Sequence, residues 1–580
     1  MKKKFVARAV VAFILAFITG AALPGPVEAG KGRSRNTIFL NAMKTELERT
    51  KNNLKLPDEG FPPPYFTAYR LYETKQTTLL GKYGAIFSDR DYCTRRFSVE
   101  VRVGDYSFDN TSGSSGMEFT WPGSHYYADT LAPLDDDSGD ALQNALWLKT
   151  DEKYKSALVT YHKKKGKIVY SVKDDKHVDS FSREKPTTYF GPAKHFPFNK
   201  QKWIRFIRKA SSIFKDHPAV FDHSIKVTAQ KVSRFLVNTE GTEIVDDNTL
   251  YGIFISASAR AEDGMLLSSN VTIYSREYNK LPREKKLMEK TSGLIRELEN
   301  LRKAPVANPY TGPAILAPAA TGVMFHEAIG HRLEGHRQDD EKEGRTFKGQ
   351  VGKKILPDFL SVYDNPTLRE FNGKTLNGFY KYDDEGVNVK AQKVVLVDHG
   401  ILRNFLMSRK PIEGFSHSNG HGRAAPGQDP VSRQGILIIE AHKSVPYSKL
   451  EKMLIKEAER QGKPYGLLLK DIAGGSTNTS SYGFQAFKGR PRLVYRIWVK
   501  DGHKELVRGV EMVGTPLSSL NKIMAASNER KVFNGYCGAE SGFIPVSTIA
   551  PAILVSEIEL QRTAREKERP PILPSPWQGK

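Results

Sequence analysis

The residues His326, Glu327 and His331 put two imidazoles and a carboxylate into one short run, immediately after the apolar stretch 314–325. This is a minimal set for a catalytic metal. The imidazoles hold the ion, and the neighbouring carboxylate takes a proton from water polarised there. The familiar zinc-peptidase pattern spaces its histidines four apart, about 40° around an α-helix. Here the second histidine is five along, about 140° around the same helix. Both rings face one ion only if the helix ends or bulges between them, and Gly330, just before His331, is where a break costs least. The flanking Ala319, Ala320, Gly322, Val323, Met324 and Phe325 are small and apolar, so the helix is expected to be buried. Titratable groups on a buried helix need partners or a metal.

A third ligand is needed. Cys537, in the turn-rich segment 534–538 ahead of an apolar strand, offers a thiolate, and two His plus one Cys leave a fourth position for water. Two alternatives stand beside it. His336 continues the series 326, 331, 336 with Glu334 between, and a bridge to Cys93, the chain's second cysteine, would remove the thiolate. Arg423, in the Gly-rich segment 419–423, carries a planar donor fork able to grip a substrate carbonyl or carboxylate; His421 lies beside it. The acidic turn Asp383, Asp384 and Glu385 reads as structural. Segment 474–481, rich in Gly, Ser and Thr, reads either as a loop over the cleft or as a connection between strands.

Stepping outward, residues 36–52 carry apolar side chains at helical spacing, and 66–102 alternate as strands do. Segment 104–138 is Gly-, Ser- and Asp-rich and reads as a loop; 140–165 and 202–214 read as helices. Residues 223–278 read as a β-meander turning near Gly241 and Gly264, followed by a charged helix over 282–303. Pro and turn residues make 304–313 a linker. Beyond the motif come many short strands and one amphipathic helix over 449–461. The expected fold class is α+β: a mixed N-terminal domain over 30–303, then a mainly antiparallel β metal domain over 314–565 with a buried motif helix, and a polar, Pro-rich tail over 566–580.

The run His326 to Gly335, with Leu333 and Glu334, resembles the H-E-A-x-G-H-x-L-E-G signature of the TldD/PmbA metallopeptidases, in particular their metal-bearing, TldD-like branch. The resemblance continues through 382–387, 394–402, 419–423 and 493–513, and closes on 537–547. It covers roughly 305–562; before residue 300 it is slight, with 97–110 the best match. It implies zinc on His326, His331 and Cys537, with Glu327 as base. It also implies an unfolded or extended peptide or protein substrate, and a homodimer or a heterodimer with a metal-free relative. Because the family has a metal-free branch, the alternative is a non-catalytic envelope-binding or assembly subunit.

Composition sets the remaining bounds. The chain has 580 residues, 39% of them hydrophobic and 26% charged, as in globular proteins, and a net charge of +23. No aromatic-basic array accompanies that charge, so nucleic acid is not an expected partner; a basic surface suits anionic envelope surfaces or acidic peptides instead. Lys2 to Lys4, the apolar run 10–22 and the small-residue site at Val27-Glu28-Ala29 read as a cleaved signal over 1–29. The expectation is an exported protein of the periplasm or extracellular space, with no stable membrane span after cleavage.

Overall fold

The computed structural model describes residues 31–57, 60–111, 130–170, 178–388, 393–563 and 573–577. The segment 1–29, read above as a signal, and most of the tail lie outside them, as does much of the Gly-rich segment 104–138.

The fold is α+β, as expected. In the N-terminal half, β1 (Pro64–Lys82), β2 (Ala85–Val103), β3 (Thr188–Phe190), β4 (Asp222–Asn238), β5 (Glu243–Arg260) and β6 (Leu266–Ser275) form one sheet in the order β2-β1-β4-β5-β3, with β6 also on β5. The meander turns at Gly241 and Gly264, at φ of 101° and 82°, a left-handed conformation that costs glycine least. In register, Tyr69 lies opposite Val237, Leu71 opposite Phe235 and Leu79 opposite Val227, which lies opposite Ile253. These residues share one parity and therefore one face. One end of that face packs on α1 (Lys31–Asn53) and α2 (Asp140–Tyr170), the other on α3 (Lys200–Ser212) and α4 (Glu284–Lys303). The opposite parity carries Arg70, Tyr72 and Arg234, and this face is buried too. Arg70 donates to Asp384 O, Tyr72 to Asp384 Oδ1, and Arg234 to both Asp383 O and Asp384 Oδ1. The acidic turn is thus the plug by which the second half of the chain docks on the first.

Residues 304–313 join the halves, and their last four already belong to β7 (Tyr310–Leu316). β7 lies within an eleven-stranded sheet, parallel to Tyr465–Thr477 and antiparallel to the long strand Gly542–Arg562. Pairing is mainly antiparallel; strand Ile436–Ala441, parallel to Gly542–Arg562, is another exception. The helix α5 (Pro318–Phe325) follows β7 at once, with Pro at its first position, where the missing N–H costs nothing. Ala320, Val323, Met324 and Phe325 enter the main core, so the motif is delivered at the end of a fully buried helix.

Candidate metal centre

After α5 the backbone changes pitch. Residues His326–Gly330 form a π-turn, in which the N–H of His331 reaches the carbonyl of His326, before a short 3₁₀ segment His331–Leu333. This is the bulge that the five-residue spacing requires: an i→i+5 turn brings His331 back over His326. Gly330 contributes differently from the sequence expectation. Its φ and ψ are both −54°, ordinary helical values. What requires glycine is the Gln434 side chain, which a Cβ at this position would overlap.

The two imidazoles meet at a centroid separation of 4.9 Å, nearly perpendicular at 83°. Cys537 closes the triangle. It sits on strand Ile523–Ala539 opposite Ile544, with Sγ 3.3 Å from His326 Nε2 and 3.2 Å from His331 Nε2. At zinc bond lengths of about 2.1 Å to nitrogen and 2.3 Å to sulfur, a tetrahedral edge measures about 3.6 Å. The three donors therefore fit one face of a zinc tetrahedron with little adjustment. They are the single cluster of three or more such residues among those described. Burial alone would raise the Cys537 thiol, but the flanking His331 and His326 outweigh it and bring the pKa down to about 4, the thiolate form a metal needs. Cys93 is remote from this chemistry, paired with Lys75 across the β1–β2 ladder, and no disulfide joins the two cysteines.

Glu327 is buried beside the donors. Burial raises its pKa, which His326 and His331 partly offset. Its backbone carbonyl accepts from Arg332, whose guanidinium also donates to Thr477 Oγ1 and Asn478 O. Segment 474–481 is consequently a wall of the site. A Cβ on Gly475 would stand 2.8 Å from Glu327 Cγ and 3.0 Å from its Oε1.

The sequence reading did not assign the roles of several residues around the centre. Glu334 accepts from His331 Nδ1 at 3.2 Å, fixing the ring so that Nε2 faces the thiolate. Burial would raise Glu334, but His331 and Arg337 dominate and hold it down to about 2. Arg433 donates to Cys537 O and Ser541 Oγ, holding the cysteine hairpin. Glu334, three residues past His331 on a continuing turn, was findable by spacing; Arg433 carries no sequence signal.

The other candidates lie elsewhere. His336 turns away from the donors and contacts Glu540 through Nε2, which removes it as a third ligand. Arg423 is buried over the Tyr380 ring at 4.5 Å and donates to Gln434 O and Pro545 O, so it faces a cavity between the two halves of the chain. His421 is locked between Asn419 and Asp364.

Comparison with known proteins bears on this geometry. Residues 309–562 match the PmbA/TldA metallopeptidase C-terminal domain. Over these residues the chain belongs to the TldD/PmbA family. It is similar to a metalloprotease of Archaeoglobus fulgidus, 30% identical over 268 residues that make up 46% of this chain and 57% of that protein. The match thus spans little more than half of that relative. A zinc metalloprotease TldD homolog of Saccharolobus solfataricus is 24% identical over 71% of this chain and 90% of its own length. The fold is shared with TldE of Thermococcus kodakarensis, at a TM-score of 0.58 and 15% identity over 90% of this chain and 100% of that one. The diverged N-terminal half therefore shares the fold of that TldE chain. The family's metalloprotease names agree with a metal at the His-His-Cys cluster.

Proposed function

We propose that this TldD/PmbA protein is a zinc-dependent peptidase acting on unfolded or extended peptides. The observation that carries the reading is the convergence of His326, His331 and Cys537 with Glu327 beside them. Zinc held there supplies a Lewis acid that acidifies water and polarises a peptide carbonyl. Glu327 removes the water proton as the oxygen adds to the carbonyl carbon, then delivers that proton to the departing amide nitrogen. A carboxyl whose pKa is raised by burial is the better base for the first step and still an acid for the second. His326, Glu327, His331 and Cys537 are 9, 7, 7 and 5% exposed, which favours an extended chain over a folded surface as substrate.

Two further parts of the proposal concern setting. Tyr482 and Phe484, 77 and 82% exposed, sit on the connection that follows the Arg332 contacts; they suit a second subunit, a copy or a metal-free relative, closing over the site. Export, with Gly30 as the first mature residue, follows from the leader-like segment; among the described residues no helix is long and apolar enough to cross a membrane.

The deciding experiment measures zinc and cleavage together. The wild-type chain is expected to hold about one zinc, Cys537→Ser to lose it, and Glu327→Gln to keep it while losing peptide cleavage. Full cleavage by zinc-loaded Glu327→Gln would remove the mechanism. Function persisting in a metal-free His326→Ala protein would favour the non-catalytic subunit instead.

A further inference from the structure

Between the outer face of the N-terminal sheet and the C-terminal half lies a cavity of about 240 Å³, with Arg276, Asn377, Arg423, Tyr380, Tyr536 and Phe543 on its wall. A wider cleft shares Arg276 and adds Lys194 and Arg369. The carboxylates of the wider cleft, Glu277 and Glu370, pair with Lys280, and those on the cavity wall are satisfied as well. Asp246 is held by Arg234; Asp384 by Arg234, Tyr72 and the N–H of Ala424; and Asp383 by the N–H groups of Glu385, Val387 and Gly422.

The guanidiniums are in the opposite condition. Arg276 donates to the carbonyls of Leu376, Asn377 and Phe379 and to Asn248 Oδ1. Arg423 donates to the carbonyls of Gln434 and Pro545. Arg369 lies over the Phe379 ring, 4.7 Å from its centroid. Among the described residues none of the three pairs with a carboxylate, and the neutral carbonyls around Arg276 and Arg423 leave their charge uncancelled. Burial pushes Arg276 down to about 10, and Arg369 and Arg423 add to the effect. Asn377 supplies a second, independent sign. It is 0% exposed, and neither its Nδ2 nor its Oδ1 has a hydrogen-bond partner, a condition that buried amides rarely tolerate without a ligand or water.

We propose that this cleft binds a carboxylate of the peptide substrate, gripped by Arg276, Arg369 and Arg423 with the Asn377 amide as a further donor. The assignment rests on the peptidase reading and gives that reading a substrate class. Guanidinium forks match a planar carboxylate, and the site is connected to the metal centre in two ways. Tyr536 adjoins Cys537 in sequence and Ile544 lies opposite it, and both line the cavity. Gln434, whose carbonyl accepts from Arg423, donates its side-chain amide to His326 O. The carboxylate is either the peptide's C-terminus or an Asp or Glu side chain.

Three N-terminally labelled peptides of one sequence separate these sources: the free acid, the C-terminal amide, and the amide with one Gln replaced by Glu. Their affinities are read by fluorescence anisotropy on the full chain carrying Glu327→Gln, so that nothing is cleaved. The free acid is expected to bind about tenfold more tightly than the plain amide, the scale of one charge-assisted contact. Equal tightening by the Glu peptide assigns side-chain carboxylates as well; tightening by the free acid alone assigns the terminus. Arg423→Gln is expected to erase the difference, as is Arg369→Gln, which alters an exposed residue and leaves folding intact. Equal affinities, no binding of any peptide, or a preference that survives Arg369→Gln overturns the proposal. Cleavage by the wild-type chain is scored separately, so an acid preference without cleavage keeps the cleft and removes the peptidase.

Discussion

Cys537 and His331 show how much a single donor depends on its neighbours. The thiolate at Cys537 exists because two imidazoles outweigh its burial, and His331 faces it because Glu334 holds the other ring nitrogen. Glu334 is therefore a positioning residue. Glu334→Gln is expected to weaken zinc binding about 10- to 100-fold, measured by competition with a chromogenic chelator. Gly475→Val is expected to act on the other partner. Its side chain would press on Glu327, lowering kcat by about tenfold or more through misplacement of the base, with zinc content unchanged. Loss of zinc together with activity would show that the wall supports the ligands rather than Glu327. At this scale the sequence displayed the histidines and Glu327 by type and spacing. Cys537 was offered by residue type, but only the resemblance of its segment to a family chose it over His336, because 206 residues separate it from His331. Arg433 was invisible, and Gly475 showed only as part of the segment 474–481, since their importance is a matter of which strands become neighbours.

At the scale of elements, the π-turn is the decisive feature. Five-residue spacing in a regular helix points the rings apart, so the spacing itself foretold an interruption, and the structure supplies one extra residue per turn at that point. Such a turn has poorer hydrogen-bond geometry than the α-helix around it and needs external support. Gln434 gives that support, lying against Gly330 and donating to His326 O. Gly330→Ala is expected to destabilise the protein by about 1–3 kcal/mol, the usual cost of overpacking a filled site. In the background of Gln434→Ala the same change should cost much less, because the overlapping side chain is gone. Urea denaturation of the four proteins measures that coupling. Additive effects would show that the glycine serves the backbone of the turn and not the packing against it. Strand and helix positions in the N-terminal half followed from periodicity alone. The role of the second sheet face did not. Alternation in 97–103 marks Ser98, Glu100 and Arg102 as one polar face, whereas that face is covered by the rest of the fold, where Glu100 and Arg102 are satisfied by ion pairs, Arg102 with both Glu100 and Asp109. Period-two patterning identifies a polar face but not what lies against it.

For the molecule as a whole, the two halves are joined by charge as much as by apolar area, and this gives the stability a pH dependence of known sign. Glu385 lies in the docking turn. Burial, with Asp383 and Glu100 nearby, raises it from the ordinary 4.5 to about 8, against the pull of Arg409. A carboxyl whose folded pKa exceeds its unfolded one binds more protons in the folded state. Between about pH 4.5 and pH 8 its contribution must therefore turn progressively against folding as pH rises. Below that window both states are protonated and the group is silent; above it the full penalty is present. Asp383, raised to about 6 by burial first and by Asp384, adds in the same direction over the lower part of the window. Glu385→Gln keeps an acceptor for the N–H of Arg409 and cannot ionise. It is expected to match the wild type in thermal stability near pH 5 and to exceed it near pH 9 by something on the order of 2 kcal/mol. Because this turn inserts between Arg70 and Arg234, the same titration should loosen the contact between the halves, and so the cavity between them. Protease susceptibility at the junction should accordingly rise more steeply with pH in the wild type than in Glu385→Gln, where Asp383 alone still titrates. Parallel curves for the two proteins would mean that Glu385 is ionised throughout and that the contact between the halves does not depend on its titration.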